Sequence, residues 1–215
     1  WDSQITDATV VADEIATVRA LLDAGDEVRV LFDDTGWDSR VYLVDDGAAV
    51  FKFARNSTAA RQYRSEIEVL QLLAVEYVGA VALPRVRWID DEGRFFGYEG
   101  IVGIPLLDAS ATLTADQRGT IGASIGTFLA RLHALHLDGV SSSTIEDDLA
   151  EYATKLDLAQ PALLAHCSTE ERERLDAFVS DRLSVGLRVT PAVPLALGHG
   201  DLGPWNIVFG RSGIG

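Results

Sequence analysis

The sequence predicts an α+β fold, with an antiparallel sheet plus one long helix in its N-terminal half and mostly helices in its C-terminal half. Three observations predict it. Between residues 25 and 101, short runs of alternating apolar residues are interrupted once by a helical period. From Thr114 onward the apolar period is that of a helix. Near the end, two apolar runs, Leu195-Ala196-Leu197 and Ile207-Val208-Phe209, enclose a polar loop and read as strand, tight loop, strand.

The elements follow in order. Val10, Val11, Ile15, Val18, Leu21 and Leu22 recur at three- and four-residue steps, predicting a helix over residues 8–24 that Gly25 stops. Strands are expected at Glu27–Phe32, Arg40–Val44 and Ala48–Phe53, with Asp45-Asp46-Gly47 as a hairpin turn. Tyr63, Ile67, Leu70 and Leu73 share one face of a helix from about Thr58 to Val75. Pro84 breaks the chain, and two more strands, Arg85–Ile89 and Arg94–Ile101, flank a turn at Asp90–Gly93. Gly103 to Ser110 reads as a connector. Thr114-Ala115-Asp116-Gln117 is a capping box opening a long helix, and Ser168-Thr169-Glu170-Glu171 opens another to about Leu183. A further helix is expected over Thr144–Leu158, and Pro191 and Pro194 lead into the last strand pair.

Composition narrows the function classes. With 47% hydrophobic and 24% charged residues, the 215-residue chain carries a real core. The net charge of −15 argues against nucleic acid as a partner. It is compatible with a cationic small molecule, although charge alone favours a plain acidic surface. No apolar run approaches the roughly 18 residues that span a bilayer, so no membrane role is expected. Trp1-Asp2-Ser3 lacks the basic start of a signal peptide. The single cysteine, Cys167, cannot form an internal disulfide, which points to the cytoplasm. His133, His136 and His166 form no metal-ligand spacing with Cys167. There is no methionine and the chain stops as a new strand begins, so a longer chain is expected.

The chemistry concentrates in His199-Gly200-Asp201-Leu202-Gly203-Pro204-Trp205-Asn206. Asp201 can accept a proton from a hydroxyl, and Asn206 can offer a neutral oxygen to a magnesium ion beside a nucleotide. His199 has a loop-orienting role available. Gly200 and Gly203 relieve backbone strain near a ligand. Upstream, Lys52 lies in Val50-Phe51-Lys52-Phe53, where alternation fits both a buried cation needing an anionic partner and a solvent-facing one. Glu66 borders the core face made by Ile67 and Leu70, within reach of Lys52.

The segment from His199 to Asn206, with its H-x-D-x-x-x-x-N spacing, resembles the catalytic loop of the aminoglycoside phosphotransferase family. That family includes macrolide phosphotransferases and is related to choline kinases and, more distantly, to protein kinases. The resemblance implies a two-lobed protein-kinase-like fold, with residues 1–102 as a nucleotide-binding lobe and 103–215 as a mostly helical lobe, incomplete at its C-terminus. It implies ATP or GTP with Mg²⁺ as cofactors and a small-molecule hydroxyl, cationic in character, as acceptor. Asp201, Asn206 and His199 stand at the catalytic positions, with Asn206 on the metal and Asp201 on the acceptor hydroxyl. Lys52, aligned by Glu66, matches the phosphate-binding lysine. Gly36 and Ser39, in Gly36-Trp37-Asp38-Ser39, match the loop over the phosphates. Glu99 and Ile101 match the backbone that holds the base, ahead of Gly103-Ile104-Pro105-Leu106. The acidic residues Glu146, Asp147, Asp148, Glu151 and Asp157 lie where the family builds its acceptor wall. They fit ammonium groups or a solvated helix face.

One part is missing. Such a site takes a second metal-binding Asp after the catalytic loop, and nothing from Ile207 to Gly215 is acidic. The expectation is an Asp beyond Gly215. Its absence would favour a catalytically dead nucleotide-binding module. A metabolic kinase for choline, an amino alcohol or a sugar amine is the other alternative to an antibiotic kinase.

Overall fold

Five apolar runs of the N-terminal half pair into one antiparallel sheet, and its two faces bury different partners. The computed structural model describes residues 7–135, 150, 154–155, 158–162, 164–186, 196–210 and 213–214. The sheet has the order β1-β2-β3-β5-β4, with β1 Val30–Asp33, β2 Ser39–Val44, β3 Ala49–Ala54, β4 Arg85–Ile89 and β5 Phe95–Glu99. Register follows the side-chain alternation: Tyr42 faces Phe51, and Val41 faces Lys52, which in turn faces Phe96.

On the outer face sits α1, Ala8–Leu21, which buries Val18 against Tyr42, Val44, Phe51 and Phe53. An ionic contact reinforces it. The Glu14 carboxylate accepts from Arg40 Nη2 at 2.6 Å, from Arg40 Nε at 2.9 and 3.1 Å and from the Tyr42 hydroxyl at 2.6 Å. The Glu14 and Arg40 side chains are only 12% and 15% exposed. Burial first, and then the bond to Glu14, push the Tyr42 phenol far up, so it stays a donor. Replacing Glu14 by Ala leaves a poorly solvated guanidinium without its anion and is expected to cost about 3 kcal/mol of stability. Chemical denaturation of the pure variant checks this, and a midpoint equal to wild type overturns it.

On the inner face, α2, Ser57–Glu76, buries Tyr63 and Ile67 against Phe96. Its N-terminus is capped by the Asn56 side chain, which accepts from the amides of Thr58 and Ala59. Farther along, Leu73 meets Phe128 and Leu132 of α4, Ala115–Ala134, and Leu197 packs beside them. The expected capping box opens α4: Gln117 N donates to Thr114 Oγ1, and Thr114 N donates to Gln117 Oε1.

Two readings need correction. The connector after Gly103 is not featureless: it holds β6, Ile104–Pro105, and a short helix α3, Leu106–Ala109. β6 pairs with β7, Val208–Gly210, which pairs with β8, Gly213–Ile214. Ala196 and Leu197 form no strand, because Leu197 is spent on the α2–α4 cluster and not on a sheet. Smaller shifts occur at ends. Helix α1 stops at Leu21, where Asp23 turns left-handed at φ 50°, and β1 starts three residues late, after a turn closed by Val28 N donating to Gly25 O.

By its internal contacts the chain divides into one unit of Trp1–Val140 with Ala196–Gly215, and a second of Ser141–Leu195. In the second, α5, Thr169–Gly186, opens on the expected box, in which Ser168 N donates to Glu171 Oε2 at 2.8 Å. The helix expected over Thr144–Leu158 lies largely outside the described residues. Among those that are described, no helix is long and apolar enough to cross a membrane.

Candidate active site

Strand β3 is central and α1 covers the face that carries Phe51 and Phe53, so Lys52 must point to the inner face. There it meets Glu66, one turn beyond Tyr63 on α2. Lys52 Nζ donates to both carboxylate oxygens, at 2.7 and 2.8 Å. The rings of Phe96 and Tyr63 lie 5.4 and 5.6 Å from the ammonium, so aromatic faces replace water on one side of the cation. The pair keeps access to solvent, with 23% of the lysine and 38% of the glutamate side chain exposed.

The second group of residues comes from the loop before β7. Leu106 N donates to Ile207 O at 2.7 Å and Leu107 N to Pro204 O at 3.0 Å, so α3 braces the loop on both sides of Trp205-Asn206. Within it, Gly203 N donates to Asp201 O and Asn206 N to Gly203 O, at 3.0 and 2.9 Å. Gly200 takes φ +79°, a region that favours glycine. Asn206 Nδ2 donates to both Asp201 O and Asp201 Oδ2 at 2.9 Å. Both partners can only accept, which fixes the amide orientation and leaves Asn206 Oδ1 as a neutral oxygen donor for a cation. Trp205 Nε1 also donates to Asp201 Oδ2, at 3.3 Å.

A cavity of about 550 Å³ brings these parts together. Its lining includes Val41, Val50, Lys52 and Tyr98 from the sheet, Ile101 and Gly103 after it, Ile125 and Phe128 from α4, and His199, Leu202, Trp205, Asn206 and Val208 from the loop and β7. The volume and the mostly apolar walls with a few polar groups suit a ligand of nucleotide size. Burial pushes the Tyr98 phenol far up, so it presents a neutral ring and hydroxyl. His199 packs edge-on against Phe128 with ring centres 6.5 Å apart.

Of the residues singled out in the sequence, Lys52, Ile101, His199 and Asn206 line this cavity, and Glu66 and Asp201 bond directly to residues that do. Ser39 stands elsewhere than expected. It opens β2, is 8% exposed and accepts from the Tyr63 hydroxyl at 2.7 Å, outside the lining. Burial pushes the Tyr63 phenol up to about 12, which keeps it a donor. Gly36 also lies outside the lining, in the loop between β1 and β2. Arg55 holds that loop, donating to Gly36 O and Asp34 O, each at 3.0 Å, and pairing with the Asp34 carboxylate. The main chain leaves no room for a side chain at Gly36, because a Cβ would stand 2.7 Å from Ser39 O. The Glu99 side chain turns to Arg87, 2.7 Å away, and does not line the cavity. Asp147, Asp148 and Glu151, with Glu146 and Asp157, lie outside the described residues.

Sequence reasoning missed Trp205, Tyr98 and the rings under Lys52. Trp205 stood beside Asn206 in the motif, and Tyr63 sits three residues before Glu66 on one helix face, so both were within reach. Among the described residues no cluster of three or more His, Cys, Asp or Glu side chains has metal-binding geometry.

The profile of the phosphotransferase enzyme family matches residues 29–215. The chain is similar to solved structures of APH(2")-IIa in a streptomycin–ATP ternary complex (TM-score 0.67, 18% identity, 94% of this chain and 68% of that one covered). It is also similar to APH(2")-IIia in a complex with GDP and kanamycin (TM-score 0.71, 19% identity, 92% and 67% covered). A third likeness is to macrolide 2'-phosphotransferase MphH from Brachybacterium faecium (TM-score 0.56, 20% identity, 94% and 69% covered). At these identities the likenesses show the fold, and the profile match over most of the sequence shows the family. The chain therefore belongs to the phosphotransferase enzyme family, as a phosphotransferase with an alcohol group as acceptor on a kinase-like α+β fold.

Proposed function

We propose that this protein transfers the γ-phosphoryl group of ATP or GTP to a hydroxyl of an aminoglycoside or macrolide antibiotic. The observation that carries the proposal is the bonded pair of Asp201 and Asn206, at a cavity lined by Asn206 and by Lys52, whose ammonium Glu66 holds. In this reading residues 1–102 form the nucleotide lobe and 103–215 the helical lobe.

The chemistry follows from those side chains. The nucleotide base lies against the apolar walls near Ile101, and its phosphates meet the Lys52 ammonium, which Glu66 orients. The acceptor hydroxyl sits at Asp201. As its oxygen forms a bond to the γ-phosphorus, its proton passes to the Asp201 carboxylate, and the bond to the bridging oxygen breaks to release the nucleoside diphosphate. Magnesium, when bound, neutralises the phosphate charge. Asn206 Oδ1 suits it as a hard neutral oxygen, in keeping with an ion that takes few protein ligands beside phosphates and water. A cationic acceptor agrees with the charge of −15 and with the acidic residues Asp147, Asp148 and Glu151. The reaction belongs to the cytoplasm, where nucleotide triphosphates are available and Cys167 stays reduced.

The test is nucleotide consumption over a panel of aminoglycosides, macrolides and choline. Turnover with at least one antibiotic, and its loss when EDTA removes divalent cations, is the expected result. Turnover with choline alone assigns the protein to metabolism, and activity that survives EDTA removes the metal role of Asn206.

A further inference from the structure

We propose that Trp205 is a positioning residue that selects which oxygen of Asp201 receives the acceptor proton. This rests on the function proposed above. Two donors converge on a single carboxylate oxygen: Asn206 Nδ2 at 2.9 Å and Trp205 Nε1 at 3.3 Å both reach Oδ2. Oδ1 is left with its lone pairs unclaimed by either. A carboxylate held by one donor can turn about its χ2 bond, whose energy profile is broad, and exchange its two oxygens. A second donor, arriving from a rigid ring, removes that freedom and fixes the carboxylate plane.

Three features explain why a tryptophan stands here. First, the residue is 56% exposed, so burial does not account for so large a ring. Second, Gly203 makes room for it: a Cβ at that position would lie 2.2 Å from the indole. Third, the bonds from Leu106 and Leu107 to Ile207 O and Pro204 O hold the main chain on either side of the ring, so the indole N–H has a defined direction. The loop thus gives up a side chain at residue 203 to seat the indole against the Asp201 carboxylate.

Two substitutions separate the donor from the ring. Trp205→Phe keeps an aromatic face without an N–H, and Trp205→Gln keeps an N–H donor without the ring. Turnover is expected to fall about ten-fold in Trp205→Phe, the effect of one hydrogen bond to a charged group. Trp205→Gln is expected to retain more turnover than Trp205→Phe. In an Asp201→Ala background, adding Trp205→Phe is expected to change the residual rate less than about two-fold, because the indole acts through the missing carboxylate. A merely structural role would make the two losses multiply.

A measurement that leaves Trp205 intact guards against misfolding of either variant. Of the four indole N–H signals in a ¹⁵N–¹H spectrum, one is expected to move on Asp201→Ala. Wild-type turnover in Trp205→Phe, poorer turnover in Trp205→Gln than in Trp205→Phe, or four unmoved indole signals would overturn the assignment. If Asp201→Ala itself retains full turnover, the proposed function fails. If Asp201→Ala is inactive while Trp205→Phe matches wild type, only the role of Trp205 fails.

Discussion

Replacing Asp201 by Ala is expected to lower turnover about 10³-fold while changing nucleotide affinity less than about two-fold, as for loss of a positioned general base. The structure supports the split between these two quantities. Asp201 is not itself part of the cavity wall, whereas Lys52, Ile101 and Asn206 are. Its carboxylate bonds Asn206 and Trp205 and leaves one oxygen for a proton. Removing it takes away an acceptor that matters only as the hydroxyl becomes a nucleophile, so the ground-state nucleotide complex is little changed. Asn206 loses a bonding partner, but its bond to Asp201 O is to the main chain and survives the substitution. Steady-state kinetics combined with calorimetric titration of the nucleotide checks both halves. A variant that turns over within about ten-fold of wild type would remove Asp201 from the chemistry, and one that no longer binds nucleotide would mean that the carboxylate holds the cavity together.

The approach of Asp201 to Asn206 was legible because the spacing of the loop is local. Six residues carry Asp201 and Asn206 toward one another, with glycine at 200 for a left-handed turn, and no distant contact is needed to bring them together. Lys52 was ambiguous for the opposite reason. An alternating strand in the middle of a sheet has two faces, and which one holds the ligand depends on where α1 and α2 dock. Val18 and Glu14 of α1 claim the Phe51 face, and that choice, made by residues more than thirty positions away, sends Lys52 inward. Glu66 was readable in part from the helix period, which sets it beside the Ile67 and Leu70 face, and in part from the family resemblance. Ser39 was misplaced because a strand onset and a loop end look alike in sequence, and its burial depends on the Tyr63 hydroxyl from another element. The pairing of β6 with β7 was hidden too, since two-residue strands carry no period and arise only when Gly103 lets the connector approach Val208 and Phe209. The strand that Ala196 and Leu197 do not form shows the same limit: an apolar residue can serve a helix cluster as well as a sheet.

Lys52→Ala is expected to lower kcat/KM about 10²-fold, the scale of removing one preorganised charge from a transition state. The same substitution is expected to matter less for stability. Its partner Glu66 is over a third exposed, and exposed ion pairs contribute about 0–1 kcal/mol to folding, so the melting temperature of the variant is expected to change little. The catalytic loss should exceed the structural one because the ammonium faces the cavity between the rings of Phe96 and Tyr63, where less water competes for it. Glu66 touches no ligand in this scheme and acts by holding the ammonium with both oxygens. Glu66→Ala is therefore expected to cost about ten-fold, and the double variant to match Lys52→Ala within about two-fold, since a residue that works through another adds nothing once that other is gone. Measuring all four proteins with varied nucleotide at saturating acceptor decides the matter. Losses that multiply in the double variant would show that Glu66 acts independently of Lys52, and a Lys52→Ala enzyme with wild-type kcat/KM would mean that the triphosphate is held by other residues.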